Sequence, residues 1–193
     1  LLAHREVLSQ CGGKEKVLRV VEIANKFPRV ETVLASIKEK YEYVGKTFSI
    51  VVPEKIEQII EEGQALKHCL DRSDRYFERI ANQESYIVFL RRTKAMEQPY
   101  YTLEIEPDGT TRQKRTVGDN QNNDYHRAEK FLKKWQAAIR PRLSQEDFER
   151  QEISRQLRMY ELESLRNDKV TVHGGIHAGE LLADILEADL MEA

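Results

Sequence analysis

Only two cysteines, Cys11 and Cys69, occur in 193 residues, so no disulfide framework can hold the chain together. No apolar run approaches the roughly 18 residues that a membrane span needs, and a cytoplasmic protein without a membrane anchor is expected. The start carries no charged stretch followed by an apolar core. With Leu as its first residue, the chain reads as a fragment or processed form, so that residues before Leu1 bear on function. An excess of one charge is also missing. The 31 basic and 33 acidic side chains leave a net charge of −2, which by itself nominates no polyanionic partner. There is no phosphate-binding loop, no dinucleotide glycine motif and no strand–Ser–helix elbow, so nucleotide-dependent and esterase chemistry have no support, and no cofactor is expected.

What the sequence does contain is 33% charged and 40% hydrophobic residues, the balance of long solvated helices around a modest core. Apolar spacing predicts helices over 14–26, opened by Gly12-Gly13, and from Val30 to about Tyr41. A strand at 47–52 stops at Pro53, which begins a helix carrying Ile56, Ile59, Ile60, Leu66 and Leu70. Gly63 implies a break or a close backbone approach in that helix. A short helix at 74–81 precedes three strands, 86–92, 100–106 and 110–117, with Pro107-Asp108-Gly109 as a turn. Helices at 124–138, 144–167 and about 178–193 complete the chain. The fold class expected is α+β, a small antiparallel β-meander packed with helices. Three segments are expected: N-terminal helices at 1–45, an α+β core at 46–140 and a long, charged C-terminal helical extension at 141–193. In the 144–167 helix only Phe148, Ile153, Leu157, Tyr160 and Leu165 are apolar enough to pack, which suits a protruding or partner-binding helix.

The segment from Glu62 to Gln113 gathers the side chains that acid–base chemistry and anion binding use. His68 can act as acid, base or ligand with an ordinary pKa of about 6.5; the alternative is that it packs a helix end against the sheet. Cys69 reads as a small buried packing residue. Period-two alternation puts Thr102 and Glu104 on one face of their strand. If the neighbouring strands present Arg91, Gln113 and Arg115 there, that surface can hold a phosphate. The alternative is an ordinary salt bridge from Glu104 to Arg91 or Arg115 on a solvated sheet face. His173 and His177 have a zinc-like spacing, but the glycines between them disfavour a helix, and no metal is assigned.

From about Phe48 to Trp135 the chain resembles the PcfJ-like family of conjugative plasmids, phages and related mobile elements. The resemblance rests on Phe48 to Val52 ending at Pro53, Glu62-Gly63 before Leu66, and His68-Cys69-Leu70 where the family has His-Cys-Val. It continues through Tyr76, Ile87, Arg91, Pro99, Thr102-Leu103-Glu104-Ile105, Gln113, Asn120 and Trp135. The family's Gln, Gly and Asn at three-residue steps correspond here to Gln113, Gly118 and Asn120, five and then two residues apart. The resemblance implies a mobile-element context, and the residues themselves nominate a site of His68, Arg91, Thr102, Glu104 and Gln113.

Between 112 and 142 nine basic residues face three acidic ones, whereas after Lys169 no Lys or Arg remains and the tail is acidic. Arg127, Lys130 and Lys134 share one helix face, and Arg112, Lys114 and Arg115 precede them on a strand, an arrangement suited to DNA or RNA backbones. The first expectation is therefore a nucleic-acid-associated protein. The finer expectation is a metal-independent nuclease in which His68 moves the proton and Arg91 or Arg115 stabilises phosphate charge. A His-bearing helix ahead of a β-meander is similar in outline to small metal-independent ribonucleases, a fold-level analogy. The second expectation is a non-catalytic module that recruits a protein partner, or a second copy, through 144–167.

Overall fold

The computed structural model describes the backbone of residues 2–117 and 124–193, and the side chains from Gly13 onward except that of Asp71. Helix α1 (Leu2–Lys26) runs through Gly12-Gly13 instead of starting after them. Helix α2 (Val30–Tyr41) buries Val30, Val33, Leu34, Ile37 and Tyr41, the three- and four-residue spacing of an inward-facing stripe. A two-residue strand, β1 (Tyr43–Val44), follows; it is too short to leave a pattern in the sequence. Then come β2 (Phe48–Val51), α3 (Ile56–Leu66), α4 (Arg75–Ala81), β3 (Tyr86–Arg92), β4 (Tyr101–Ile105) and β5 (Thr111–Arg115). Helices α5 (Tyr125–Ile139), α6 (Gln145–Asn167) and α7 (Leu182–Asp189) complete the α+β fold. The last is shorter than the 178–193 helix expected.

The five strands form one antiparallel sheet in chain order. Side chains alternate across it, so Phe48, Ile50, Val88, Leu90, Tyr101, Leu103 and Ile105 share one face. Helix α5 covers this face, with Phe131 against Phe48 and the fully buried Trp135 donating from Nε1 to the Tyr41 carbonyl at 2.9 Å. Tyr41 in turn donates to the Pro107 carbonyl at 2.7 Å, tying α2 to the β4–β5 turn. Gly109 in that turn has φ of 91°, and a Cβ there would meet Ile139 of α5 at 2.9 Å, so both backbone and packing require glycine.

Sheet edges invite unwanted pairing unless they are covered. The chain's own C-terminal segment covers β5: Thr111 and Met191 exchange backbone hydrogen bonds of 2.8 Å, and the Lys114 amide donates to Asp189 at 2.8 Å. The acidic tail thus settles against basic residues. Helices α2 and α5 and Met191 all contribute to a single core with the sheet.

Trp135→Ala should cost about 3–5 kcal/mol, the usual range for deleting a fully buried Trp. Urea unfolding followed by circular dichroism measures it, and a loss under 1 kcal/mol would show that α5 does not depend on this anchor.

Candidate functional site

The second face of the sheet carries Ser49, Val51, Ile87, Phe89, Arg91, Thr102, Glu104, Gln113 and Arg115. On a solvated sheet such polar side chains would face water. Here α3, α4 and α6 supply partners, leaving Thr102 and Glu104 only 5% and 2% exposed. Buried ions survive only when paired and hydrogen-bonded, and these are.

The end of α3 delivers His68 to this face. Lys67 takes the left-handed conformation, φ 53° and ψ 45°, its amide donating to Gln64 while the His68 amide reaches the Gly63 carbonyl at 3.1 Å. This is a Schellman closure. Gly63 is a buried helical residue, not a break. His68 Nε2 lies 2.9 Å from Thr102 Oγ1, and Thr102 donates to Glu62 Oε1 at 3.4 Å. Glu62 receives a bidentate fork from Arg91, at 2.8 and 2.5 Å. A carboxylate engaged in this way can only accept. The Thr102 hydroxyl proton therefore points to Glu62, and the Thr102 oxygen accepts from His68 Nε2–H.

One row over, Glu104 accepts from Arg79 at 2.8 Å, Ser85 at 2.6 Å and Gln113 at 3.0 Å. Burial pushes its carboxyl up, but Arg79, Arg112 and the Ser85 hydroxyl together hold it below the ordinary glutamate value. The network continues outward. Arg112, the extra residue of the bulge between Glu104 and Ile105, donates to Glu106, Glu84 and Ser154, while Arg158 of α6 also bonds Glu106.

Beside these groups opens a cleft of about 1220 Å³. His68, Thr102, Glu104 and Gln113 line it, together with Arg75, Tyr76 and Tyr125. Across from the sheet, residues 170–182 fold back on themselves, with Thr171 bridging Leu181, and bring Gly174 to His177 to the rim. Among the described residues no three His, Cys, Asp or Glu side chains gather as a metal site, and no helix is long and apolar enough to cross a membrane.

With this geometry in view, the comparisons place the chain. The model of the PcfJ-like protein family matches residues 14–130, well over half of the sequence. The chain belongs to the PcfJ-like family. No match was found among the curated proteins or among the solved structures. The PcfJ-like match begins earlier than the resemblance drawn from 48–135. It takes in all of His68, Arg91, Thr102, Glu104 and Gln113, and leaves α6 and α7 outside.

Several expected roles change in the folded chain. Arg91 does not line the cleft; both arms of its fork are engaged by Glu62, so it acts on Thr102 and His68 only through that carboxylate. Glu104 pairs with Arg79, not with Arg91 or Arg115, and the face is buried rather than solvated. Cys69 is exposed and lines the cleft. Arg112 and Lys114 are 5% and 2% exposed, the first locked to Glu106 and the second to Asp189. Arg115 also bonds Asp189, at 2.5 Å. Those three cannot form an open basic strip. Arg127, Lys130 and Lys134 are exposed on α5, while Gly118 and Asn120 lie outside the described residues. No local pattern marks Arg75, Arg79 or Glu161 as site residues, because the partners lie far apart in the chain: Arg79 and Glu161 are 82 positions apart.

Glu104→Gln should destabilise the protein by about 3 kcal/mol at pH 7, since it leaves buried guanidinium charge under-compensated. A depressed folded pKa gives stability that is present above the ordinary glutamate value of 4.5 and lost as pH falls through the folded value. Urea titrations at pH 7 and pH 3 should therefore show a smaller acid-induced loss in the variant than in the parent. Equal losses would mean that Glu104 does not contribute to acid sensitivity.

Proposed function

We propose that the chain is a nucleic-acid-processing domain of a mobile-element protein, with His68 as the proton-transfer group. The observation that carries this reading is His68 held by Thr102, Glu62 and Arg91 at the wall of a cleft large enough for more than one nucleotide. An orienting chain of this kind holds the imidazole at a fixed position on the cleft wall, which is what proton transfer to or from a substrate needs. Tyr125, in the first turn of α5, lines the same cleft, and the exposed Arg127, Lys130 and Lys134 of that helix offer contacts to a strand running past it. The resemblance to PcfJ-like proteins of mobile elements supports this reading, in which strands of DNA or RNA are the substrates.

A second reading has its own observation. Helix α6 turns Ser154, Arg158 and Leu162 inward, leaving Ile153, Leu157 and Tyr160 at 60%, 45% and 73% exposure. The apolar residues expected to pack it point away from the sheet, as on a helix that docks a protein.

The deciding assay offers labelled single- and double-stranded DNA and RNA to the purified chain, with and without divalent metal, beside His68→Ala. The enzyme reading expects cleavage that falls at least about 100-fold in the variant, with unchanged circular dichroism. Intact substrate with salt-sensitive binding would leave an accessory binder, and neither cleavage nor binding would favour the docking reading. Under the docking reading, Leu157→Asp should abolish partner capture or self-association measured by sedimentation, and should leave unfolding unchanged.

A further inference from the structure

The expected phosphate ligands, Arg91 and Arg115, are both committed to carboxylates, so a substrate phosphate needs another cation. Arg75, at the start of α4, lines the cleft, and its side chain is 49% exposed, against 9% for Arg79 and 5% for Arg112. Arg115 also lines the cleft, but its side chain is 16% exposed and its Nη1 donates to both Asp189 and the Lys114 carbonyl. The ion-pair partner of Arg75 is Glu161 of α6, and that carboxylate is shared with Arg79. Arg79 in turn holds Glu104.

From this arrangement we infer that Arg75 anchors a phosphate of the substrate in the cleft, exchanging Glu161 for the incoming anion. The inference deepens the nucleic-acid reading above and rests on it. The exchange leaves no orphan, because Glu161 retains Arg79 when Arg75 turns away, and a buried carboxylate stripped of every partner would forbid it. Burial lowers the pKa of this guanidinium, and Arg79 and Arg112 lower it further while Glu104 and Tyr76 act the other way. Arginine also suits the task in shape, since its planar fork meets two phosphate oxygens at once. Helix α6 thereby gains a part in the site although it lies outside the family match. Its Glu161 competes with the substrate for Arg75, which sets how tightly the cleft holds a phosphate.

The test uses the full chain, with a fluorescent single-stranded oligonucleotide followed by anisotropy and inorganic phosphate titrated by calorimetry. Arg75→Ala should weaken oligonucleotide binding about 10-fold or more and reduce the slope of log affinity against log salt by about 0.7, the share of one single-strand phosphate contact. Glu161→Gln should tighten binding several-fold, a direction that a merely structural ion pair would not give. If Arg75→Ala does not fold, Glu161→Gln decides alone. Parental affinity in Arg75→Ala, or weakened binding in Glu161→Gln, overturns the assignment. Arg75-dependent binding of inorganic phosphate without oligonucleotide binding would keep the anchor and remove the nucleic-acid reading. Binding of neither probe removes both.

Discussion

A carboxylate shut away from water organises the middle of this molecule. Glu104 stands on β4, between β3 and β5, with its oxygens closed off by Arg79, Ser85 and Gln113. Removing such an ion from water costs several kcal/mol, offset only when each oxygen finds a well-placed donor. Those donors come from α4, the start of β3 and β5. A second buried carboxylate, Glu106, draws in Arg112 of β5 and Arg158 of α6. The polar face of the sheet is therefore assembled by satisfying charges, whereas the other face is assembled by burying Trp135, Tyr86 and Leu103. Non-directional apolar packing tolerates exchange of side chains; a charge network of this kind does not.

That division explains where the cleft can exist. A wholly apolar second face would have closed against α3 and α4, as the first has closed against α5. Paired charges instead hold α4 and α6 at positions set by guanidinium and carboxylate geometry, and a space lined by the sheet, Arg75 and Tyr76 of α4, α7 and residues 172–177 stays open. The same logic accounts for the buried seam at β5. Asp189 meets Lys114 and Arg115 there, yet burial pushes its carboxyl above the ordinary aspartate value and pulls the Lys114 ammonium below its own. Desolvation outweighs attraction at that seam, so its contribution is to cover an edge strand more than to stabilise by charge.

Much of the fold was legible in the chain because it follows local rules. The stripe of α2, the alternation of β4, the Pro107-Asp108-Gly109 turn and the Ser144 capping box at the start of α6 each report their element through spacing or dihedral preference alone. Helix α6 shows where those rules stop. Its few apolar residues suggested a protruding helix, but the sheet face that receives it is ionic, so Ser154 and Arg158 turn in and Ile153 and Tyr160 turn out. Arg112 and Lys114 looked like solvated cations for the same reason, since a sequence gives their charge and not their partners.

The sequence by itself determined a nearly balanced charge, a β-meander between helices and the grouping of His68, Thr102, Glu104 and Gln113 in one stretch, because spacing along a helix or strand fixes which side chains share a face. Only the tertiary structure decided which ions meet. Pairings such as Arg91 with Glu62, Arg79 with Glu104, and Arg75 with Glu161 join residues from 25 to more than 80 positions apart. Coulomb attraction and desolvation depend on distance in space and on access to water, and neither quantity is written in the order of residues.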